Sequence, residues 1–188
     1  MAIEVAKHLT TEELEAGLDE IRRAPSTEGV VELIVRRPAE NEREVLEEGC
    51  LDLAEGLVGD MWRTRGSKRT ADGSAHADMQ LTVMNARVTD LVAAGARERW
   101  ALAGDQFYVD LDLSETNLPP GTRLELGSAV IEVTDQPHTG CAKFSARFGA
   151  AAHTFVNTKS HRHLRLRGLN ARIVQPGIVR AGDAIRKL

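Results

Sequence analysis

The chain has little cysteine and few aromatic residues. Among its 188 residues there are two cysteines, Cys50 and Cys141, and aromatic side chains make up 4% of the sequence. The two cysteines are far apart and form no Cys-x-x-Cys pair, which argues against a disulfide framework and against a structural zinc knuckle. A bridge between them would also be unusual in the cytosol. We therefore treat them as two separate thiols.

Long apolar runs are also missing. No stretch approaches the roughly 20 residues needed to cross a bilayer, and residues 1–8 lack the apolar centre of a signal peptide. Hydrophobic residues still make up 42% of the chain and charged residues 28%, which is enough for a substantial core in one domain. We therefore expect a soluble cytoplasmic protein with no membrane partner.

The chain has no excess of positive charge. Its net charge is −4 and its isoelectric point is about 5.9, which argues against nucleic acid as a partner held by phosphate contacts. It also contains no Gly-rich phosphate loop of the dinucleotide or P-loop type and no Gly-x-Ser-x-Gly elbow. The sequence therefore offers none of these nucleotide-binding or hydrolase signatures.

The segment from Gln136 to Gly149 carries the strongest chemical signal. It follows a predicted hairpin, is interrupted by Pro137, and continues with helical composition. We predict that Thr139 is the N-cap of a short helix and that Gly149 ends it in the left-handed conformation. Cys141 would then lie in the first turn of this helix.

Cys141 has two readings. The positive end of a helix and nearby basic residues would favour the thiolate, which is the reactive and metal-binding form. The basic residues are His138, Lys143 and Arg147. The alternative is a small buried hydrophobe, the usual role of a free cysteine. The spacing allows this too, because Cys141, Phe144 and Phe148 share one helix face.

Short strands separated by turn signals dominate the rest of the chain. Alternation and β-branched residues predict strands over residues 29–36, 79–84, 107–113, 123–126, 129–134, 159–168, 169–175 and 177–180. The Gly127-Ser128 link predicts a type II′ hairpin turn. We therefore predict a mainly β, α+β fold: a closed or partly closed β-barrel with several short peripheral helices.

Helical composition appears in three further regions. Thr10 and Glu13 form a capping box that opens a helix ending at Pro25. Residues 40–57 predict two helices separated near Gly49, with Cys50 as a structural, partly buried residue between them. Asn85 is the predicted N-cap of a helix reaching about residue 96.

Two basic regions each have two readings. The Gly-containing loop 63–76, with four basic side chains between Arg63 and Arg69, is either a solvated loop or an anion-binding lid. In the predicted strand 159–168, four basic side chains share one face, which is either solvated or directed to a ligand. These are His161, His163, Arg165 and Arg167. The two histidines would need a third ligand to hold a metal.

Five short segments occur in a characteristic order: 56–60 (Gly-Leu-Val-Gly-Asp), 78–82 (Asp-Met-Gln-Leu-Thr), 103–106 (Ala-Gly-Asp-Gln), 137–141 (Pro-His-Thr-Gly-Cys) and 177–183 (Gly-Ile-Val-Arg-Ala-Gly-Asp). Together they resemble the MOSC domain, named after the C-terminal domain of molybdenum cofactor sulfurase. The resemblance rests on order and spacing, since Gly-Asp turns are common. It covers residues 29–188, so we expect a barrel domain there and a helical extension over residues 1–28 packed on it.

The resemblance implies binding of molybdenum cofactor, a pterin dithiolene that carries a phosphate. In the family, the cysteine that matches Cys141 either coordinates molybdenum or carries sulfur as a persulfide, and both roles need a thiolate. The matched segments imply further cofactor-binding residues: Gln80, Arg87, Asp105, Gln106, His138, Thr139 and Lys143. The pyridoxal-phosphate domain of full sulfurases has no counterpart in this sequence, so we expect no pyridoxal phosphate.

Two functions follow from the resemblance, and both remain open at this point. In the first, Cys141 ligates molybdenum in an oxidoreductase that acts on N-hydroxylated or other N–O small molecules. An electron-donor protein would be required, because the chain has no flavin, nicotinamide or iron–sulfur motif. In the second, the protein is a non-catalytic sulfur or cofactor carrier that uses a Cys141 persulfide and a sulfur-donor partner. A barrel with only a structural or ligand-sensing role is the third alternative.

Overall fold

Most of the fold is built from short strands. The computed structural model describes residues 6–188. Their strands are β1 (Glu28–Arg36), β2 (Glu44–Leu46), β3 (Glu48–Asp52), β4 (Gly56–Leu57), β5 (Leu81–Asn85), β6 (Phe107–Asp110), β7 (Arg123–Leu126), β8 (Ala129–Val133), β9 (Leu169–Gln175), β10 (Gly177–Arg180) and β11 (Ala184–Lys187). Residues 1–5 of the expected 1–28 extension lie outside the described residues.

Seven of these strands form a closed barrel in the order β11-β7-β8-β9-β5-β6-β1, with β1 pairing back to β11. All neighbours are antiparallel except β5 and β6, which makes the barrel mixed. The hairpin between β7 and β8 forms as predicted, with Gly127 at a φ of 57°. β2 pairs with the C-terminal end of β1. A separate small sheet contains β10, β3 and β4. The predicted mainly β barrel is confirmed.

Residues 6–188 contain two apolar clusters, which lie on opposite faces of the barrel strands. One draws residues from all seven barrel strands, for example Val83 and Val109, and fills the interior. The other packs Met84 and Tyr108, their outward-facing neighbours, against helices. This alternation is the period of two expected of strands. β6 is buried on both faces, because helices cover the outward-facing Tyr108.

Short helices surround the barrel. They are α1 (Thr11–Ala16), α2 (Leu18–Arg22), α3 (Trp62–Arg65), α4 (Ala86–Val92), α5 (Ala142–Phe148) and α6 (Ala150–Asn157), with 3₁₀ helices at Ala77–Met79, Arg97–Ala103 and Lys159–Leu164. The capping box of Thr10 and Glu13 is present, and Asn85 caps α4 through bonds from the N–H groups of Arg87 and Val88. α1 and α2 bury Leu14, Leu18 and Ile21 against the helical cluster.

Several local predictions were wrong. Residues 40–57 contain β2, β3 and β4 instead of two helices, because β1 and β10 offer edges on which the segment pairs. Cys50 is exposed on β3 instead of partly buried. Residues 159–164 form a 3₁₀ helix instead of a strand, so the basic residues of 161–167 do not share a strand face. α4 ends at Val92, well before residue 96.

No helix in residues 6–188 is long and apolar enough to cross a membrane. Within the same residues, no three His, Cys, Asp or Glu side chains are grouped so that they could hold a metal ion. His161 instead contacts the carboxylate of Glu15 at 3.0 Å.

Candidate functional site

Three connections converge at one end of the barrel. β6 and β9 both begin opposite Val83 of β5, and β8 ends one strand away, paired with β9. Asp105 precedes β6, Arg167 precedes β9, and His138 follows β8. The barrel closure therefore brings together residues that are far apart in sequence.

A buried hydrogen-bond network links these three residues. Nε2 of His138 lies 2.7 Å from Oδ1 of Asp105, and the Arg167 guanidinium donates to Oδ2 at 2.5 Å. Arg167 also donates to the carbonyl of Ala103 at 2.9 Å. The Asp105 side chain is 0% exposed and that of Arg167 is 6% exposed. Both oxygens of the Asp105 carboxylate are thus occupied.

This network shifts the pKa values of Asp105 and His138. Burial alone would raise the pKa of Asp105, but the charge of Arg167 and, in acid, that of protonated His138 outweigh it and hold that pKa at about 2. Burial, reinforced by Arg167, lowers the pKa of His138, while Asp105 opposes the shift. At neutral pH we therefore expect an ionised Asp105 and a neutral His138 that donates its Nε2 proton to the carboxylate.

Cys141 lies just beyond His138 and is exposed. It is itself the N-cap of α5, with extended backbone, and its side chain makes no capping hydrogen bond. The prediction that Thr139 caps this helix was therefore wrong, and so was the shared buried face, because Phe144 and Phe148 are buried without Cys141. Gly149 ends the helix at a positive φ of 93°, but its ψ of 162° lies outside the left-handed helical region.

The segment that holds Cys141 is fixed by α6 and β9. The N–H of Gly140 donates to Oδ1 of Asn157 at 2.8 Å, and the Gly140 carbonyl accepts from Asn157 and contacts His153. A Cβ on Gly140 would lie 2.9 Å from the Asn157 amide nitrogen, so a larger residue would push the thiol away from this clamp. Asn170 donates to the carbonyls of Gln136 and Pro137.

Cys141 lines a cavity of about 410 Å³ that is rich in positive charge. His138, Thr139 and Lys143 also line it, so the structure brings four predicted site residues together. We call it the thiol cavity. Its basic side chains are Arg37, Arg43, Arg65, Lys143, Arg147 and Arg167. Glu40 is the single carboxylate that lines it within residues 6–188.

Only part of this positive charge is neutralised. Arg37 pairs with Asp60, Arg167 with Asp105 and Lys143 with Glu40. No carboxylate of residues 6–188 forms an ion pair with Arg43, Arg65 or Arg147. Burial lowers the pKa of Arg43, and the neighbouring charges of Arg147 and Arg37 lower it further.

The structure gives two predicted site residues partners inside the protein. The Gln106 amide receives bonds from the N–H and hydroxyl of Thr82 and donates to the carbonyl of Gln80 at 3.2 Å. The Gln80 side chain donates to the carbonyl of Leu53 and accepts from the N–H of Ile173. These two amides hold the starts of β5 and β6 together.

Arg87 lies elsewhere. It forms ion pairs with Asp110 and Glu20 and lines a different cavity, next to Trp100. The structure therefore does not bring Arg87 to Cys141. Asp105 does not line the thiol cavity either, but it contacts His138, which does.

Sequence reasoning missed several residues of the site. Arg37 precedes the segment 40–57 that was predicted to be helical, and Arg43 lies within it. Arg167 was placed on a strand face that does not form. Asn170 lies inside a correctly predicted strand, but nothing in the strand pattern distinguishes it. A buried arginine needs a buried carboxylate, and the partner Asp105 is far away in sequence, so the pairing follows only from the closed barrel.

Comparison with known proteins assigns the fold and the family. The MOSC domain matches residues 70–186, which include both Asp105 and Cys141. The crystal structure of the YUAD protein from Bacillus subtilis superposes with a TM-score of 0.64 at 16% identity, over 84% of this chain and 94% of that chain. The crystal structure of YiiM from Escherichia coli gives a TM-score of 0.53 at 19% identity, over 85% and 69%.

These structural similarities, at low identity, show the shared fold. A crystal structure of a hypothetical protein is also similar, with a TM-score of 0.56 at 20% identity, over 86% of this chain and 68% of that chain. No curated protein matches the chain. The barrel, the Cys141 segment and the match over more than half of the residues lead to one conclusion: the chain belongs to the MOSC domain family.

Proposed function

We propose that this protein binds molybdenum cofactor in the thiol cavity and that Cys141 is the protein's ligand to molybdenum. The MOSC domain family is associated with this cofactor. The single observation that carries the proposal is the position of Cys141, an exposed thiol that lines a cavity with a large excess of positive charge. A soft sulfur ligand suits molybdenum, and guanidinium groups suit a phosphate.

The residues present fit such a group. Arg43, Arg65 and Arg147 line the thiol cavity without a carboxylate partner among residues 6–188, which supports binding of an anion. Two buried polar atoms of residues that line the cavity, Nε of Arg167 and Oδ1 of Asn170, have no hydrogen-bond partner within residues 6–188. A bound polar group would supply partners of both kinds, a donor and an acceptor.

When bound, the cofactor would supply the redox chemistry that the chain's own side chains lack. The protein's part is then to hold the anionic end with guanidinium groups, to present the thiol, and to keep His138 in one orientation. Asp105 fixes that orientation because it accepts the Nε2 proton, which leaves Nδ1 of His138 as the nitrogen available to accept a proton. The substrate class we propose is an N-hydroxylated or other N–O compound, with electrons from a partner protein.

Elemental and pterin analysis of protein purified from a cofactor-competent host tests this proposal. We expect molybdenum in the wild type and in Cys50→Ser, and none in Cys141→Ser. Cys50 is a matched control because it is the other free, exposed cysteine. Equal molybdenum in wild type and Cys141→Ser would refute the ligand role.

The exposure of Cys141 favours one second function, a sulfur carrier. An exposed thiol at a helix start can carry a persulfide and pass its outer sulfur to a partner protein. Intact mass spectrometry distinguishes the two functions. A labile extra sulfur on Cys141 in protein without molybdenum supports the carrier, whereas molybdenum without the extra sulfur supports the oxidoreductase.

A further inference from the structure

A second cavity adjoins the thiol cavity. It measures about 650 Å³, and the two share His138, Thr139 and Arg167 as a common wall. We call it the outer cavity. A molecule in the outer cavity would thus contact the same imidazole that borders the Cys141 thiol cavity.

Basic side chains outnumber acidic ones in the outer cavity. Its cations are Lys159, Arg162, Arg165 and Arg167, against the carboxylates of Glu115 and Asp135. Arg167 is neutralised by Asp105, but Lys159 and Arg162 form no ion pair within residues 6–188. Burial lowers the pKa of Arg165, with Glu115 opposing the shift, so its charge is held in a partly desolvated position. A guanidinium in such a position interacts strongly with an anion.

The backbone at Arg165 adds an independent observation. Arg165 caps the 3₁₀ helix Lys159–Leu164, and its φ of 48° lies in the left-handed region that disfavours residues with a side chain. Glycine would relieve this strain, as Gly168 does three residues later at a φ of 99°. The Arg165 guanidinium also donates to the carbonyl of Leu118 at 2.6 Å, which orients it. The hydrogen bond to Leu118 therefore holds the Arg165 side chain in one position at the wall of the outer cavity.

The remaining wall of the outer cavity is mixed. Beside polar residues such as Thr134, Gln136 and Asn157, it contains five apolar residues, of which Pro120 and Pro137 are exposed and Val156, Leu166 and Leu169 are buried. An inorganic ion would leave the exposed apolar surfaces unused. An organic molecule with an apolar body and one oxyanion group would use both these surfaces and the guanidinium groups.

We propose that the outer cavity binds an organic carboxylate or phosphate, with its oxyanion on Arg162 and Arg165 and its apolar body against the exposed Pro120 and Pro137. The small-molecule substrate would then be an organic anion, presented to the thiol cavity across His138. This assignment of the substrate class rests on the proposed function. The binding of the anion itself does not depend on it.

Benzoate titrated into the cofactor-free protein tests the anion site directly. We expect benzoate to bind, to shift the NMR signal of His138, and to weaken with added salt. Benzyl alcohol, which has the same ring without the charge, should bind at least about tenfold more weakly, since a charged hydrogen bond is worth roughly a factor of ten or more. Equal binding of the two probes, or no binding of benzoate, would overturn the proposal.

Two variants remove the proposed anion contacts. Arg162→Ala changes an exposed side chain, and Arg165→Gly removes the guanidinium while suiting the left-handed backbone. Each should weaken benzoate about tenfold, while Arg180→Ala, whose side chain pairs with Glu48, should not. Thermal melting checks that all three variants are folded. Unchanged affinity in both Arg162→Ala and Arg165→Gly would contradict the assignment.

Loading the protein with molybdenum cofactor shows whether the oxyanion bound in the outer cavity belongs to a separate small molecule or to the cofactor. If benzoate still binds to cofactor-loaded protein, the site serves a separate small molecule, as proposed. If loading abolishes benzoate binding, the site belongs to the cofactor's own phosphate and the substrate assignment fails. Cys141→Ser separates the two proposals, because it should lose molybdenum but bind benzoate like the wild type.

Discussion

His138 and Asp105 are joined through Nε2 and Oδ1 at 2.7 Å, and the second oxygen of the same carboxylate is held by Arg167. The carboxylate therefore cannot turn to another partner without breaking one of these contacts. It serves as a fixed acceptor that sets the orientation of the imidazole between the two cavities.

The first prediction concerns acid stability. The pKa of His138 is lowered in the folded protein, so the unfolded chain takes up a proton first as pH falls below about 6.5. The free energy of unfolding should therefore decrease as pH falls below about 6.5. Asp105 adds a second loss of stability as pH falls from 3.8, its ordinary pKa, to about 2, its pKa in the folded protein. That shift corresponds to about 2 kcal/mol at neutral pH.

Urea unfolding at about pH 8 and about pH 5.5 measures the first window. We expect the wild type to lose more stability than His138→Gln between these two values. His163→Gln is the control, because His163 is exposed and forms no ion pair within residues 6–188. Identical pH dependence in wild type and His138→Gln would contradict a depressed pKa for His138.

The second prediction concerns Cys141→Ser. Cys141 is the N-cap of α5 but makes no capping hydrogen bond, and serine is among the preferred N-cap residues. We therefore expect this variant to be more stable than the wild type, by roughly 0.5–1 kcal/mol, although it should lose molybdenum. Chemical unfolding at neutral pH measures the gain. A stability loss above about 1 kcal/mol would show that the thiol has a structural role.

The third prediction concerns the buried pair of Arg37 and Asp60. The Asp60 carboxylate accepts two bonds from the Arg37 guanidinium at 2.8 Å each, and it also accepts the N–H groups of Arg37 and Trp62. Asp60→Asn should cost about 3–5 kcal/mol, because it leaves a buried guanidinium without a counter-charge. Glu48→Gln, which breaks the exposed pair with Arg180, should cost less than about 1 kcal/mol. Comparable losses in the two variants would contradict the prediction.

The fourth prediction concerns Gly29, which lies where β1 packs closely against the end of β6. A Cβ at this position would lie 1.8 Å from the carbonyl oxygen of Asp110, so the two strands would have to separate. We expect Gly29→Ala to cost well over about 2 kcal/mol. Gly121→Ala is the control: nothing lies within 4 Å of its Cβ position, and its φ of 90° alone accounts for a cost of about 1–2 kcal/mol. Thermal melting of both variants should rank them in this order.

The sequence predicts elements whose signals are local better than elements that depend on distant strands. The β7–β8 hairpin and the caps at Thr10 and Asn85 were predictable because their signals lie within a few adjacent residues. The barrel was predictable from the number and spacing of short strands. Residues 40–57 misled because their Glu- and Leu-rich composition favours a helix, whereas the edges of β1 and β10 decide their structure.

The site was predictable only in part. Cys141, His138, Thr139 and Lys143 follow one another closely, so locating one located the others. The cations that join them come from distant segments: Arg37 follows β1 and Arg167 precedes β9. Local patterns carry no information on such pairings, because the closure of the barrel determines them. For the same reason the sequence could not show that Arg87 pairs with Asp110.

The pairing of β1 with β11 has a consequence for synthesis of the protein. These are the first and the last barrel strands along the chain, so a growing polypeptide cannot close the barrel until residues 184–187 have left the ribosome. Until then β1 and β7 each present an unpaired edge, and such edges favour association between chains. We therefore expect the fold, and with it both cavities, to form only after translation has passed the last barrel strand.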